Sequence, residues 1–253
     1  MTRSTIRNRK FKQPLIILFW LLIWEAVFLI INKEIYLPSP LSAFETLFSL
    51  LSDGETYIVI GHSMLRTVSA LLLSVGLGVS LGILCGLYPS VHDLLNPLVV
   101  VLRSMPIASI IIIAIIWFRS TNVPIFAGFL MCFPLIFTSS VAGIRNTDEK
   151  LLEMCRIYRV RKADVIRSVY FRSAVPYINA GIVSSLGIAW KAIAAAEVLA
   201  LPRYSIGFHL YQSKTWLDPA SLFAWTIAII ALSYLFEFLF VKVSGYDKTG
   251  KRI

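Results

Sequence analysis

Six stretches of this chain are apolar over a length that would carry a helix across a membrane. A spanning α-helix needs about 20 consecutive, mostly apolar residues. The stretches lie at about Pro14–Ile31, Leu65–Leu87, Leu98–Phe118, Val123–Gly143, Ala180–Leu199 and Ser221–Val241. This pattern predicts an all-α fold, a polytopic transmembrane bundle of about six spanning helices.

Composition supports the same class. Hydrophobic residues make up 57% of the chain, charged residues 15%, and the mean hydropathy is +0.76. The net charge of +10 comes from basic residues that flank the apolar stretches, where they orient helices and contact anionic lipid, so we expect no nucleic-acid partner. Three cysteines without a CxxC pair indicate neither a disulfide framework nor a zinc site.

No repeat or linker divides the sequence, so residues 1–253 are interpreted as one transmembrane domain. The third stretch is the least regular, because Pro97, Arg103 and Pro106 interrupt it. The pattern leaves open whether this helix starts late or is broken.

Charge placement predicts the orientation. Residues 144–179 contain eight Lys and Arg against four acids, and the N-terminal segment is also basic. Since short cytoplasmic loops are rich in Lys and Arg, we place this loop inside the cell. Six spans then put both termini in the cytoplasm, as in a multi-pass protein of the inner or plasma membrane.

Few ionisable residues lie within the apolar stretches, and Lys191 and Glu197 are the most deeply placed. They are six residues apart, which sets them on separate faces of one helix, so a direct pair between them is not expected. Both are candidates for a translocation path. For Lys191, a structural pair or a side chain that reaches the interface remains the alternative.

Small residues recur every four positions along the second stretch, at Ser74, Gly78, Gly82 and Gly86. Glycine lets helix backbones approach closely, which is the usual source of packing contacts in lipid. We therefore expect the three glycines to pack against a neighbouring helix, either of the same chain or of a second subunit.

The sequence lacks the common catalytic motifs. It contains no HExxH, GxSxG or GxxxxGK[ST] motif, and its three histidines lie far apart in separate segments. We therefore predict that the chain is not an enzyme, holds no catalytic residue or metal, and binds no cofactor itself.

The segment from Glu149 to Pro176 resembles the cytoplasmic "EAA" signature of binding-protein-dependent ABC transporter permeases. Glu153 takes the Glu place, Met154 and Cys155 take the two Ala places, and Pro176 takes the closing Pro place. Arg159 stands where the family has glycine. A glycine there supports a turn because it adopts positive φ at little cost, so Arg159 implies a strained or reshaped turn.

Other segments are similar to the nitrate, sulfonate and taurine branch of these permeases. They follow in order as YLPSP, HSMLRT, NPLVVVLRSMP, FPLIF, AGIRNTDEKLLE and WKAIAAAEVL. The resemblance implies a type I importer in which two permease subunits, expected to be identical, work with two cytoplasmic ATPase subunits and an extracytoplasmic solute-binding protein. ATP would be hydrolysed by the ATPase subunit.

The resemblance also implies that the loop at about 144–179 docks on the ATPase and couples its closure to rocking of the spans. The residues assigned to this coupling are Glu153, Cys155, Arg156, Arg159, Val160, Ala163, Asp164, Val169 and Pro176. A basic loop that simply lies on anionic membrane lipid is the alternative.

The cargo implied by this branch is a small organic or inorganic anion such as a sulfonate, taurine or nitrate, and a positive Lys191 agrees with that. A vitamin precursor such as a thiamine pyrimidine or riboflavin is the alternative cargo. Two other classes stay open: a stand-alone secondary transporter or channel, and a membrane-embedded enzyme, for which the sequence lacks convergent acid and base residues.

Overall fold

The computed structural model describes the backbone of residues 3–245 and the side chains of residues 14–245. Within residues 3–245 the chain forms eleven α-helices and one π-helical turn, and no strand. The helices are α1 Arg3–Ile31, α2 Pro40–Ser52, α3 Gly54–Leu87, α4 Pro89–Ser104, α5 Ile107–Trp117, α6 Val123–Arg145, α7 Glu149–Ile157, α8 Lys162–Val165, α9 Phe171–Ala200, α10 Ile206–Thr215 and α11 Pro219–Ser244, and the π-helical turn is Ile166–Tyr170.

Among the residues that the structure describes, five helical segments are long and apolar enough to cross a membrane, or six if one bent pair counts as a span. They are Pro14–Ile31, Gly54–Leu87, Val123–Arg145, Lys162–Ala200 and Pro219–Ser244, with α4 and α5 as the bent pair. The predicted all-α, polytopic fold is confirmed.

The third stretch is broken, which is one of the two outcomes that the sequence left open, because α4 and α5 meet at a bend of 102°. The break falls at Met105 and Pro106, both of which have extended backbone conformations. Proline has no N–H for the helix ladder and disfavours helical geometry in the residue before it, which accounts for the break. Pro97, in contrast, lies inside α4 without ending it.

Two other helices begin earlier than their apolar stretches suggested. The α3 helix starts at Gly54 instead of Leu65, and α9 starts at Phe171 instead of Ala180. Their first turns contain polar residues, which a helix tolerates once it has left the hydrocarbon layer. Hydropathy marks the part of a helix inside the membrane and not its full length.

Buried side chains concentrate on α6, where 13 of 23 residues are buried. Its C-terminal half packs with α3 and α4 around Cys85, Val99 and Phe137. Its N-terminal half packs with α5 and α9 around Ile111 and Ala196. Pro14–Ile31 in α1 contributes no buried residue. Helix α6 is thus the centre of the packing among α3, α4, α5 and α9, whereas the apolar side chains of α1 are left exposed within the chain.

The chain forms two compact units. One combines the residues up to Tyr57 with His209–Ala228, and the other combines Ile58–Phe208 with the chain from Ile229 onward. The single domain expected from sequence stays a prediction. All residues discussed below as functional lie in the second unit.

Candidate functional site

The predicted coupling loop is built on α7. Asp148 caps this helix, accepting a hydrogen bond from the Lys150 N–H at 2.9 Å. Glu149 lies in the first turn and Arg156 in the last, so both charges complement the helix dipole. A nine-residue helix is therefore stabilised at both ends, although of its side chains only Cys155 is buried.

Arg159 ends α7 in a left-handed conformation, with φ of 49°. The Val160 N–H donates to the Cys155 carbonyl at 3.0 Å, and the Arg159 N–H donates to the Arg156 carbonyl at 3.1 Å. These two bonds form the Schellman motif, whose left-handed position is usually glycine. The chain keeps the turn and accepts strain of about 1–2 kcal/mol at Arg159.

Beside this turn lies a cavity of about 600 Å³ between the end of α3 and the loop. It is lined by Leu87, Tyr88, Leu152, Cys155, Arg156, Arg159, Val160, Lys162, Val165, Ile166 and Tyr170. Four of the predicted coupling residues therefore meet at one place: Cys155, Arg156, Arg159 and Val160.

The other predicted coupling residues lie outside that cavity. Glu153 is exposed on α7, Ala163 and Asp164 are exposed on α8, Val169 lies in the π-helical turn and Pro176 lies within α9. The structure separates the coupling residues into a cavity wall and an exposed face. Their roles in coupling stay predictions.

Two large apolar side chains project at the tip of the loop. Ile157 is 79% exposed and Tyr158 is 76% exposed. Neighbouring Leu151 and Met154 on α7 are also more than 40% exposed. This apolar surface, at the end of a basic loop, is what a docked protein would cover.

Glu197 belongs to a buried ion pair at the opposite end of α9. Its carboxylate accepts a hydrogen bond from Arg66 Nη1 at 2.8 Å and from Ser63 Oγ at 2.8 and 2.9 Å. The Gly207 N–H donates a further bond to it at 3.1 Å. The side chains of Arg66 and Glu197 are 7% and 1% exposed. Such a pair is tolerated in a protein interior because every oxygen of the carboxylate has a donor.

Arg66 extends this network to the loop between α9 and α10. Its guanidinium donates to the Tyr204 carbonyl at 3.2 Å and to the Arg203 carbonyl at 3.4 Å. Gly207 is necessary here, because a Cβ at this position would overlap Glu197 and Val198. The network therefore fixes α3, the end of α9 and the start of α10 together.

Sequence reasoning did not find Ser63 or Arg66. Arg66 lies inside the predicted second stretch, and the signal that points to it is that a buried Glu197 requires a cation. In this structure the Glu197 carboxylate does not line an open path. Its predicted role in translocation has no support from this geometry and stays untested.

A family model described as "Binding-protein-dependent transport system inner membrane component" matches residues 78–244, about two thirds of the chain. The chain belongs to this family. The matched range contains the α7 loop, Lys191, Glu197 and the α6–α9 packing. The predicted resemblance to ABC permeases of the nitrate, sulfonate and taurine branch is confirmed.

Relatives of this permease are transport proteins. The taurine transport system permease protein TauC of Escherichia coli is 25% identical over 85% of this chain and 80% of its own length. SsuC of Bacillus subtilis, whose name refers to aliphatic sulfonates, is 29% identical over 79% of this chain and 72% of its own length.

The fold also has a counterpart among solved structures. An inward-facing structure of the MetNI methionine ABC transporter has a TM-score of 0.60 and 15% identity, over 74% of this chain and 95% of the other. That likeness concerns the fold alone. Together with the family match, it makes this chain the permease of a type I ABC importer, a multi-pass inner-membrane component whose family implies an ATPase and a binding protein as partners.

The glycines of α3 contact α6 of the same permease chain. A Cβ on Gly82 would lie 2.5 Å from Ser140 Cβ, and a Cβ on Gly86 would lie 2.5 Å from Ile144 Cβ. At Gly78 the nearest atom, on Ile136, would be 3.0 Å away. Since real Cβ atoms do not approach so closely, the α3–α6 spacing depends on these glycines.

Lys191 lies on the exposed side of α9, while its neighbours Trp190 and Ala192 are buried. No ion pair or hydrogen bond involves it within the described part of the chain. A lysine in a spanning helix costs about 2.5–3.5 kcal/mol on insertion scales if it faces lipid, so it is normally turned toward protein or water. The pairing alternative for Lys191 finds no partner here.

Proposed function

We propose that this permease carries a small anion and is driven by an ATPase that docks on the α7 loop. The observation that carries the coupling part is the exposed apolar tip of the loop, with Ile157 at 79% and Tyr158 at 76% exposure. Side chains of that size are seldom left in water unless another surface covers them.

The anion class is supported by the cargo named for the relatives, taurine and aliphatic sulfonates, which both carry a sulfonate group. An unpaired Lys191 on the exposed side of α9 agrees with a negatively charged cargo. A second, identical permease copy would complete the path, with an extracytoplasmic binding protein delivering the cargo. With the α7 loop docked on a cytoplasmic ATPase and six spans, both termini would be cytoplasmic.

The α7 loop would act as the coupling element. Its nine-residue helix is capped at both ends, so movement of a docked ATPase would displace it as a rigid piece. The loop continues through α8 and the π-helical turn into α9, the helix that carries Lys191. Displacement of the loop would therefore reach the middle of the membrane.

Glu153→Lys tests the coupling assignment, because it reverses an exposed charge on α7 without touching a spanning segment. We expect at least a tenfold loss of ATPase co-purified with the permease, with unchanged membrane insertion. Glu45→Lys on α2 is the control, since Glu45 is also exposed but lies outside the loop. Normal co-purification and normal ATPase stimulation in Glu153→Lys would contradict the proposal.

Cargo is tested separately, with the permease, ATPase and binding protein reconstituted in proteoliposomes. We expect ATP-dependent uptake of at least one of taurine, methanesulfonate and nitrate. Uptake of an uncharged vitamin precursor instead of these anions would contradict the anion proposal and leave the coupling assignment standing.

A further inference from the structure

A small cavity lies where the broken third span packs against α6. Its volume is about 130 Å³, and its walls come from α4, α6 and α9. The lining residues are Leu102, Arg103, Leu130, Met131, Pro134, Leu135 and Ile188. Arg103 is the only one of them with a polar side chain, and the other lining residues are apolar.

The cavity lies at the middle of the membrane by the register of two spanning helices. Pro134 is the central residue of α6, eleven residues from both Val123 and Arg145. Ile188 lies in the middle third of α9, between Phe171 and Ala200. Arg103, which shares the cavity with both residues, is therefore at mid-depth and not at a helix end near the headgroups.

Arg103 has no partner at this depth. Its side chain is exposed, and within residues 14–245 it forms neither an ion pair nor a hydrogen bond. A cation inside a membrane is normally turned toward protein, water or a ligand. A helix break at membrane depth likewise occurs only where the backbone is buried in protein or lines a water-filled cavity.

Lys191 lies on α9, the helix that contributes Ile188 to the cavity. It follows Ile188 by three residues, which places the two side chains about 60° apart around the α9 axis. Lys191 is exposed and, like Arg103, has no ion pair in the described chain. Helical geometry thus places Lys191 toward the side of α9 on which Ile188 shares the cavity with Arg103.

We infer that Arg103 and Lys191 form an oxyanion-binding site at the middle of the translocation path. The inference rests on the proposed anion cargo and adds the residues that would select it. The guanidinium presents a planar fork of N–H donors that matches two oxygens of a sulfonate or nitrate group. Arg103 would orient the oxyanion, and Lys191 would add attraction without a fixed direction.

The test uses the whole importer, with permease, ATPase and binding protein in proteoliposomes, and taurine, methanesulfonate and nitrate as probes. Arg103→Gln should lower uptake of the transported probe at least tenfold, and Arg103→Lys should lower it about threefold, because it keeps the charge and loses the fork. Co-purification of the ATPase should be unchanged in both. Arg119→Gln, at an exposed arginine after α5, is the control and should transport normally.

The failures of the two proposals are distinguishable. If the wild-type importer transports a probe and Arg103→Gln transports it equally well, the oxyanion site is overturned and the anion cargo stands. If the wild type transports none of the three probes but does transport an uncharged cargo, the anion cargo fails and this site fails with it.

A second measurement covers the case in which Arg103→Gln does not assemble. Ile188→Cys places a thiol in the cavity wall, and the three native cysteines are buried. The measured quantity is the ratio of the reaction rate with a negatively charged methanethiosulfonate to the rate with a positively charged one. This ratio should be at least tenfold higher at Ile188→Cys than at Ser120→Cys, which lies in an exposed loop. An equal ratio at the two positions would overturn the site.

Discussion

In the packed region formed by α3, α6 and α9, the buried charges of Arg66 and Glu197 bond to each other and to backbone groups. In the loop of residues 148–170, Glu153 and Arg156 are exposed and Ile157 presents its side chain to solvent. The first region pairs its buried charges within the chain. The second exposes its charged and apolar side chains, and under the proposed docking we expect substitutions to act on folding in the first region and on assembly in the second.

Arg66→Met tests the packed region and should cause the largest loss of stability. It leaves the Glu197 carboxylate buried without its cation, and we expect the free energy of unfolding to fall by about 3–5 kcal/mol. Thermal unfolding of the detergent-solubilised permease measures this. Arg119→Met, which removes an exposed arginine, is the control and should shift the melting temperature little. Equal melting temperatures for the two variants would show that the ion pair does not hold the helices together.

Gly82→Ala tests the close α3–α6 contact and should have a smaller effect. The added methyl group would lie 2.5 Å from Ser140 Cβ and 2.9 Å from the Phe137 carbonyl oxygen, so the helices must separate. We expect a destabilisation of about 1–3 kcal/mol in the same unfolding assay. Gly76→Ala is the matched control in α3, because nothing lies within 4 Å of its added Cβ. It should be neutral or stabilising by about 0.5–1 kcal/mol, and the comparison fails if both alanines behave alike.

Arg159→Gly is expected to have the smallest effect, with the opposite sign. Glycine removes the strain at φ of 49°, and a more flexible unfolded chain offsets part of the gain, which leaves about 0.5–1 kcal/mol. Hydrogen exchange at the Val160 amide should slow as the turn becomes more stable. Arg161→Gly is the control, since Arg161 has φ of −60° and should gain nothing. Faster exchange at Val160 in Arg159→Gly would mean that the arginine side chain, and not the turn, holds this backbone.

The spanning helices were predictable because hydropathy reports the environment of a helix directly. Five of the six apolar stretches correspond to single helices, and the remaining one is broken at Met105 and Pro106, an outcome that the sequence left open. Two prolines and one arginine interrupt that stretch, but only the local geometry decides which of them breaks the helix. Pro97 is accommodated within α4, whereas Pro106 begins a new helix in another direction.

The candidate site was less predictable, since its residues meet through tertiary contacts. The cation that pairs with Glu197 lies 131 residues earlier in the chain, and no local pattern connects them. Likewise, the α6 and α9 residues that surround Arg103 are brought to it by packing. At Arg159 the sequence is compatible with either a strained turn or a reshaped one. The backbone φ of 49° shows that the turn is kept and is strained.

The π-helical turn Ile166–Tyr170 joins α8 to α9 within one helical segment, Lys162–Ala200. Such a turn holds one residue more than an α-helix would over the same length. Side chains before it are therefore rotated by about 100° from the positions that a regular helix counted back from α9 would give them. Lys162 and Val165 reach the cavity wall beside Leu87 and Tyr88 with that offset in place. A deletion of one residue in the turn would swing both side chains away from the wall, so chain length in this segment is itself a determinant of the loop surface.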